Sequence, residues 1–472
     1  MNEIKMGTLE KALKINLDTT KYGTVAEIGA GQEVSRNFFQ AGAAAGTIAK
    51  TISAYDMKVS DSIYGPEASG RYVSQSRAKK MINYEFDLLE DRLKEVRPAD
   101  TTFFALADTV AARSYNSNRE CHGWVGIKFM AEPGSDPCEI MLHVRMFDNS
   151  NQAQQHALGV LGVNLIYGAF YHYKNPKTLI DSLTDGLTGD RIEVDYLNFS
   201  GPQFEKTDNR LMVLHLVETG LSNAALFLPG KKTSLASEAL YKKDILALRG
   251  TFRPVTNVNL DIAQKGLKQF IETENGDPEK TEVIFEMNMA TFIDTPDHGS
   301  KDMLNRIDLI TQLGYKVIVS HYLRYFRLSE YFAHFCRGRI RFLTSVDNIK
   351  TIFDERYYQP EEGGLLGACG KLFSNNTKLY VYPNLLDDGT IQSLSEVPIA
   401  DNIKHLYQHL TENNEMIDYD HHSDNLKVIH SHEVALKISL GDNSWENDVP
   451  PSVSKSIIEK KLYGHKMEPT VL

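Results

Sequence analysis

The residues best suited to phosphate binding lie in the second half of the chain, at positions 249–259. Residues 245–248 predict a strand, followed by a turn and then a helix. Gly250 lets the backbone turn tightly and approach a ligand, and Pro254 stiffens the loop. A helix starting near Asn259 presents free N–H groups and the positive end of its dipole to an anion. An ordinary strand-to-helix turn with Asn259 as N-cap explains the same residues without a ligand.

This turn resembles the signature of the nicotinate and nicotinamide mononucleotide adenylyltransferases. The signature begins Gly-(Gly/Ser/Thr)-Phe-x-Pro and continues into a (His/Thr)-x-x-His segment at a helix start. The matching residues are Gly250, Thr251, Phe252, Pro254, Thr256, Asn257 and Leu260. Asn259 stands where the family has its second histidine, which contacts the phosphates of ATP. An amide can donate a hydrogen bond there but cannot carry the charge of an imidazolium.

Two fainter similarities to the same family occur in the family's chain order. Residues 453–462 resemble its Ile-Ser-Ser-Thr-x-Ile-Arg-x-x-Leu helix start, with Glu459 replacing the phosphate-binding arginine. Residues 365–369 resemble its Leu-x-Gly-Ala-Asp strand end, with Cys369 replacing the aspartate. The resemblance covers about residues 240–465, and it makes Asn259 and Arg253 the candidate catalytic residues. The nucleotide-binding residues that it implies are Gly250, Thr251, Phe252, Thr256, Asn257, Asn259, Gly367, Ser454 and Ser456.

Other charged and polar side chains lie at or just after predicted strand ends in the second half. At the edge of a parallel sheet such side chains can converge on an anion, although ordinary surface charge explains them equally well. They are Arg249, Arg253, Arg324, Lys371, Asn288, His321 and Ser345.

Histidine and aspartate crowd one later segment. Both side chains bind metals, and His430 and His432 would share one face of a strand. Because the spacing matches no known metal motif, we expect an exposed polar loop and a half-buried strand, and no metal site. The cluster consists of Asp420, His421, His422, Asp424, His430 and His432.

An acidic residue precedes a Gly-x-Gly turn in the first half, at Glu27, Gly29 and Gly31. The pattern resembles the first motif of S-adenosylmethionine-dependent methyltransferases, where glycines let the backbone approach the cofactor. Gln32 and Glu33 occupy the position of a third glycine, and no second acidic residue ends a clear next strand. A plain tight turn is the alternative.

The elements that position these residues divide the chain into two predicted domains. Residues 1–235 predict a mixed α/β domain of unknown role, and a polar stretch at 230–237 predicts a linker or a long loop. The helices of this domain are predicted at 36–52, 75–96 and 151–171, and its strands at 24–28, 138–147, 191–199 and 211–217. His143 and His215 fall in apolar strands, where each is expected to be a hydrogen-bonded core histidine.

Residues 236–472 alternate between strands and helices of 10–15 residues, which is typical of βαβ units. The strands are predicted at 245–248, 282–288, 316–320, 340–344 and 378–382, and the helices at 260–273, 301–313 and 328–336. We therefore expect a Rossmann-like parallel sheet with helices on both faces, of the nucleotidyltransferase type that the resemblance implies.

Composition limits the class of protein. The net charge of −11 without a strong basic run argues against nucleic acid as a partner. The four cysteines are far apart, which argues against a disulfide framework or zinc ribbon. The most apolar run, at 157–170, is too short to span a membrane, and no signal peptide is recognisable. We expect a cytoplasmic protein, and assembly into a homo-oligomer stays open.

Together these patterns predict a nucleotide-binding protein of adenylyltransferase-like fold. Its activity would be adenylyl transfer to a pyridine or related nucleotide, using ATP with Mg²⁺. A non-catalytic scaffold that keeps the fold is the first alternative, since Asn259, Cys369 and Glu459 all replace charged or chemically active residues of the family. A methyltransferase acting through the N-terminal half is the second.

Overall fold

A computed structural model describes residues 6–113, 120–289, 299–386, 389–420 and 429–465. Contacts between residues divide the chain into two compact units, Met1–Asn223 and Ala224–Leu472. The strand Ala224–Leu228 belongs to the sheet of the second unit. Each unit therefore has its own sheet.

The first unit interleaves seven helices with six strands, in the described residues. The helices are α1 Thr8–Leu17, α2 Glu33–Ala41, α3 Met57–Tyr64, α4 Gln75–Leu93, α5 Asn151–Tyr171, α6 Pro176–Ser182 and α7 Asn209–Glu218. The strands are β1 Lys21–Ile28, β2 Ile48–Ile52, β3 Thr102–Ala111, β4 Cys121–Phe129, β5 Cys138–Met146 and β6 Ile192–Ser200.

The first sheet has the order β2-β1-β3-β4-β5-β6. The strand β1 is parallel to both β2 and β3, whereas β3 to β6 form an antiparallel series. The sheet is thus mixed, and the predicted mixed α/β class of this half is confirmed.

Helix α5 is buried on nearly all sides. Its Gly159 and Gly162 lie so close to α2 that an added Cβ would come within 2.7 Å of Glu33 and 2.3 Å of Val34. The helix therefore packs inside its own unit, where its apolar surface contributes to the core.

Two predictions for the first unit are wrong. The helix predicted at 36–52 ends at Ala41, because Gly42 and Ala43 adopt positive φ values of 84° and 59°, and residues 48–52 form β2. The strand predicted at 211–217 is helix α7, capped by the Asp208 carboxylate. In a short apolar run that is buried on most sides, the spacing of apolar residues does not distinguish a helix from a strand.

The second unit contains nine helices and ten strands, in the described residues. The helices are α8 Ala236–Ala239, α9 Asn257–Glu274, α10 Ser300–Thr311, α11 Tyr325–Phe335, α12 Val346–Ile352, α13 Gly364–Phe373, α14 Lys404–Glu412, α15 Ser431–Leu440 and α16 Pro451–Lys460. The strands are β7 Ala224–Leu228, β8 Lys232–Ser234, β9 Asp244–Arg249, β10 Thr281–Asn288, β11 Lys316–Ser320, β12 Ile340–Ser345, β13 Thr377–Tyr382, β14 Asn384–Leu385, β15 Ile391–Gln392 and β16 Met416–Asp418.

The main sheet of this unit has the order β16-β13-β12-β9-β10-β11-β7-β8, and its six strands from β16 to β11 are parallel. Helices α11, α13 and α14 bury one face of the sheet. On the other face Gly266 of α9 packs against Leu343 of β12. The predicted Rossmann-like parallel sheet with helices on both faces is confirmed.

Three local predictions for this unit are wrong. Residues 232–234 are not part of a linker or a long loop but form β8, which pairs with β7. Residues 365–369 are not a strand end but belong to the start of helix α13. Leu365, Ala368 and Cys369 lie on the buried side of this helix. His430 and His432 do not lie on a strand: His430 is the N-cap residue of α15, and His432 lies in its first turn.

No helix in the described ranges is both long and apolar enough to cross a membrane. The four cysteines are buried free thiols.

Candidate functional site

The site centres on the carboxyl end of β9, where the strand order of the parallel sheet reverses. From β9 the chain builds β10 and β11 on one side, and then β12, β13 and β16 on the other. In open α/β sheets, ligands bind in the crevice at such a switch point, outside the carboxyl ends of the strands. The turn that the sequence singled out leaves β9 at this point.

An aromatic contact anchors the turn. The buried Phe252 has a φ of 46° and packs its ring on Phe285, with centroids 5.0 Å apart. The same ring lies 2.8 Å from the position of a Cβ on Gly250. The Gly250 N–H donates to the Glu286 carbonyl at 3.0 Å. Glycine is therefore required at 250 by close packing against Phe252.

A capping box joins the end of the turn to α9. Oδ1 of Asn259 accepts from the N–H of Thr256 at 2.9 Å and from its hydroxyl at 3.0 Å, and the Asn259 N–H donates back to the Thr256 hydroxyl at 3.4 Å. The N-cap is thus the buried Thr256 and not Asn259. Because Oδ1 is occupied, Nδ2 of Asn259 is the group that can donate to a ligand.

A cavity of about 270 Å³ lies on the β12 side of this turn, and we call it the switch-point cavity. Gly250, Thr251 and Asn259 line it from the turn and the start of α9. From other elements it is lined by Ser345, Asp347, Tyr382, Asn384, His430 and His432. The first turns of α9 and α15 thus meet at one cavity, which is an arrangement that favours an anion.

A second cavity, of about 230 Å³, also borders Gly250 and Thr251, and we call it the tyrosine cavity. Its aromatic lining comes from Tyr325, Tyr357 and Tyr358. Because Gly250 and Thr251 line both cavities, ligands in the two would approach each other at this backbone.

Arg249 forms one wall of the tyrosine cavity and is held by several partners. Its guanidinium donates to the buried Glu286 carboxylate at 2.6 and 3.1 Å and lies 4.9 Å from the centre of the Tyr325 ring. Burial by itself lowers the pKa of Arg249, but Glu286 outweighs it, so that the pKa is raised. The charge of Arg249 is therefore fixed and largely neutralised by Glu286.

Arg253, a candidate catalytic residue, lines neither cavity. Its Nε lies 3.5 Å from an Asp302 oxygen, and its guanidinium lies 5.4 Å from the centre of the Tyr463 ring. Asn257 also points elsewhere, because its Nδ2 donates to the Asn447 carbonyl at 3.0 Å. The side chain that does reach the turn is Arg306, which donates to the Thr251 carbonyl at 3.3 Å.

The remaining residues implied by the resemblance are not brought to the switch point. Gly367 lies in α13, where an added Cβ would meet the Glu362 carbonyl at 2.5 Å. Ser454 lies 3.5 Å from a Glu446 carboxylate oxygen, and Ser456 donates to Gln312 at 2.8 Å. The helix predicted to start near residue 453 is confirmed as α16. It packs beside Gln312, the residue after α10, and not at the switch point.

The strand-end side chains divide between the two cavities. Asn288 and Arg324 line the tyrosine cavity, and Ser345 lines the switch-point cavity. Arg324 also donates to the Tyr357 carbonyl at 3.1 Å. Lys371 lies 5.5 Å from the centre of the Phe326 ring, and half-buried His321 follows β11; neither lines a cavity described above.

Two histidines of the later cluster reach the switch-point cavity. The exposed rings of His430 and His432 stack with centroids 5.5 Å apart. His421, His422 and Asp424 lie outside the described residues, and Asp420 is exposed. Within the described part of the chain, no group of three or more metal-ligating side chains comes together.

The Gly-x-Gly turn of the first unit also lies at the end of a parallel strand, beside a cavity of about 270 Å³. The buried carboxylate of Glu27 accepts from the N–H groups of Val34 and Ser35 and from the Ser35 hydroxyl at 2.8–3.2 Å. Glu27 thus caps α2, and its oxygens are not available to hold a cofactor. An added Cβ on Gly29 would lie 1.9 Å from the Val110 carbonyl, so this glycine is needed for packing.

Buried Asp108 lies beside Glu27 and accepts from the Ile28 N–H at 3.2 Å. Burial raises the pKa of Asp108 well above its ordinary value, and the charge of Glu27 adds to this effect. Burial also raises the pKa of Glu27, although its hydrogen bonds oppose the shift. We assign the higher pKa to Asp108, because Glu27 has three donors that stabilise its ionised form and Asp108 has one.

The two histidines expected in the core have partners. Buried His143 lies on β5, where its Nδ1 is 2.5 Å from Asp195 and its Nε2 is 3.0 Å from Nδ1 of His122. His215 lies on α7 and not on a strand, and it bonds to Asp181 at 2.8 Å and to Glu218 at 3.2 Å.

Sequence reasoning missed several cavity residues, above all Asp347 and Tyr382 of the switch-point cavity. Tyr382 ends β13, so its strand-end position was the available signal, whereas Asp347 lies in the short helix α12 that follows β12. Asp347 accepts from Nδ2 of Asn384 at 3.1 and 3.2 Å, and the hydroxyl of Tyr382 donates to Asp261.

No protein-family model matches the chain, and no curated protein matches it. Among solved structures, a competence/damage-inducible protein from Agrobacterium tumefaciens is 18% identical, with a TM-score of 0.26, over 35% of this chain and 98% of that one. A CinA superfamily protein from Enterobacter cloacae is 15% identical, with a TM-score of 0.27, over 35% of this chain and 94% of that one. At these TM-scores the likeness carries no argument about function.

Proposed function

We propose that the second unit binds a nucleotide in the switch-point cavity, with its phosphates against the turn at 250–252 and the start of α9. The observation that carries this proposal is the position of the turn: Gly250, Thr251 and Asn259 line a cavity at the strand-order reversal of a parallel sheet. Backbone N–H groups at a helix start, glycine at the strand end and a side-chain amide donor are all suited to phosphate oxygens.

The two cavities suggest a transfer reaction of the kind that the adenylyltransferase resemblance implies. ATP would occupy the switch-point cavity, and a pyridine or related mononucleotide the tyrosine cavity. A phosphate oxygen of the mononucleotide would attack the α-phosphorus of ATP at Gly250 and Thr251. A new P–O bond forms, the bond between the α-phosphorus and the bridging oxygen breaks, and pyrophosphate leaves. Mg²⁺ would accompany the triphosphate, and Asp347 brings a carboxylate, a suitable ligand, to the same cavity.

Asn259 limits the rate of transfer that we expect from this site. Its Nδ2 can donate to a phosphate oxygen, but a neutral amide stabilises the developing charge less than an imidazolium does. Slow transfer, or nucleotide binding without transfer, is therefore consistent with the site. In the second case the protein would be a scaffold that responds to a bound nucleotide.

The test is Asn259→Asp, measured by calorimetric titration of the full chain with ATP. The aspartate keeps the oxygen that accepts from Thr256, so the helix start is preserved, but it replaces the Nδ2 donor with a negative oxygen. We expect the affinity for ATP to fall at least about tenfold, the loss expected when a charge-assisted hydrogen bond is replaced by repulsion.

The matched control is Gln264→Glu, which adds the same charge at an exposed position of the same helix and should leave the affinity for ATP unchanged. A thermal-shift panel with ATP, nicotinamide mononucleotide, nicotinate mononucleotide, NAD and S-adenosylmethionine would identify the ligand class. If none of these ligands binds the unmodified protein, the proposed function is wrong.

A further inference from the structure

This inference concerns the side chains that can carry charge in the switch-point cavity. No lysine or arginine is among the described residues that line it, and its charged or chargeable side chains are His430, His432 and Asp347. Asp347 is negative and is held by Asn384. Among the described residues that line the cavity, the two imidazoles are therefore the side chains that can carry a positive charge.

The positions of His430 and His432 leave their side chains accessible to a ligand in the cavity. Both side chains are exposed, and neither has a hydrogen-bond partner among the described residues. Their rings stack at a centroid distance of 5.5 Å, so that they repel each other when both carry a proton. An anionic group beside the edges of both rings offsets that repulsion and can accept a hydrogen bond from an N–H of each ring.

The backbone at the start of α15 also favours an anion in the cavity. His430 is the N-cap residue of α15, a helix of ten residues, and His432 lies in its first turn. The Ser431 and His432 N–H groups therefore lie at the positive end of the helix dipole. Across the cavity, Asn259 occupies the first turn of α9.

We propose that His430 and His432 bind the triphosphate of a nucleoside triphosphate in the switch-point cavity and supply the positive charge that the neutral Asn259 does not. This inference rests on the proposed function, and it adds the residues that hold the triphosphate. The cavity would distinguish a nucleoside triphosphate from an uncharged nucleoside through these two side chains.

The experiment compares the full chain with His430→Gln, His432→Gln and the double variant by calorimetric titration with ATP, AMP and adenosine. Glutamine keeps a donor and removes the ability to become cationic. The double variant should bind ATP about tenfold or more weakly, since charge-assisted hydrogen bonds to phosphate are stronger than those that a neutral amide makes. Adenosine should bind with unchanged affinity, a distinction that general damage to the cavity would not produce. His405→Gln, at an exposed position of α14, is the control.

The outcomes separate the two proposals. If Asn259→Asp weakens ATP binding but the double histidine variant does not, the histidine proposal is overturned and the nucleotide site stands. Equal losses for ATP and adenosine in the double variant would also overturn it, because the histidines would then only shape the cavity. If the unmodified protein binds none of the three ligands, both proposals are overturned.

Discussion

Asn259 accepts two hydrogen bonds from Thr256, one from its N–H at 2.9 Å and one from its hydroxyl at 3.0 Å. This pair closes the start of α9 and fixes the orientation of the Asn259 amide. The asparagine thus combines two roles: its oxygen secures the helix start, and its Nδ2 is left for a ligand. A histidine at this position would have to give up the first role or fill it differently.

Asn259→His should therefore change activity and stability in opposite directions. An imidazolium at 259 stabilises charge on a transferring phosphoryl group, so we expect pyrophosphate release from ATP and a mononucleotide to rise about tenfold or more. Loss of the Asn259 side-chain cap should lower the free energy of unfolding by about 1 kcal/mol. Coupled-enzyme detection of pyrophosphate and urea unfolding measure the two effects.

Gln264→His, on the exposed side of α9, controls for the added imidazole. If neither the natural chain nor Asn259→His releases pyrophosphate while both still bind ATP, the protein is a nucleotide-binding scaffold and not a weakened enzyme.

Thr256→Val tests the same capping box from its other side. The fully buried Thr256 hydroxyl is replaced by a methyl group of similar size, so packing is kept while the side-chain hydrogen bonds are lost. We expect the free energy of unfolding to fall by about 1 kcal/mol, within the range measured for N-cap threonines. Thr256→Ser keeps the hydroxyl and should lose less stability than Thr256→Val in urea unfolding. If Thr256→Val unfolds with the same free energy as the natural chain, the side-chain cap does not stabilise the helix start.

Much of the second unit could be predicted because its pattern is local and regular. Its strands are short apolar runs separated by helices, and Gly250 to Asn259 form one continuous segment. The first unit was harder. Residues 102–111 are buried on both faces of the sheet and show no alternation, and the apolar run in α7 looked like a strand for the same reason.

The candidate site could be predicted only where it is contiguous. Tyr382, Asp347 and His430 come from separate segments, and they meet Asn259 because β12 and β13 lie on the opposite side of β9 from β10. That strand order is determined by the packing of the whole sheet, and no local sequence pattern indicates it. The sequence places His430 and His432 in a polar cluster, but their position beside the turn depends on the fold.

Asp108→Asn tests the buried carboxyl pair of the first unit through the pH dependence of stability. The pKa of Asp108 is raised in the folded state by burial and by Glu27, so between its unfolded and folded values the folded chain binds more protons than the unfolded chain. Its contribution to stability is thus fully present below the unfolded value, near 3.9, and is lost as the pH rises toward the folded value. The asparagine keeps the oxygen that accepts from Ile28 and never ionises, so this loss should disappear.

The measurement is the free energy of unfolding in urea at several pH values from 4 to 8, for the natural chain and for Asp108→Asn. At pH 7 the variant should be more stable than the natural chain, by on the order of 1 kcal/mol for each pKa unit by which folding raises the pKa of Asp108. Asp91→Asn, at an exposed position of α4, should follow the natural chain at every pH. If Asp108→Asn and the natural chain lose stability in parallel as the pH rises, Asp108 is not the group that holds the proton, and the same series on Glu27→Gln would then assign it to Glu27.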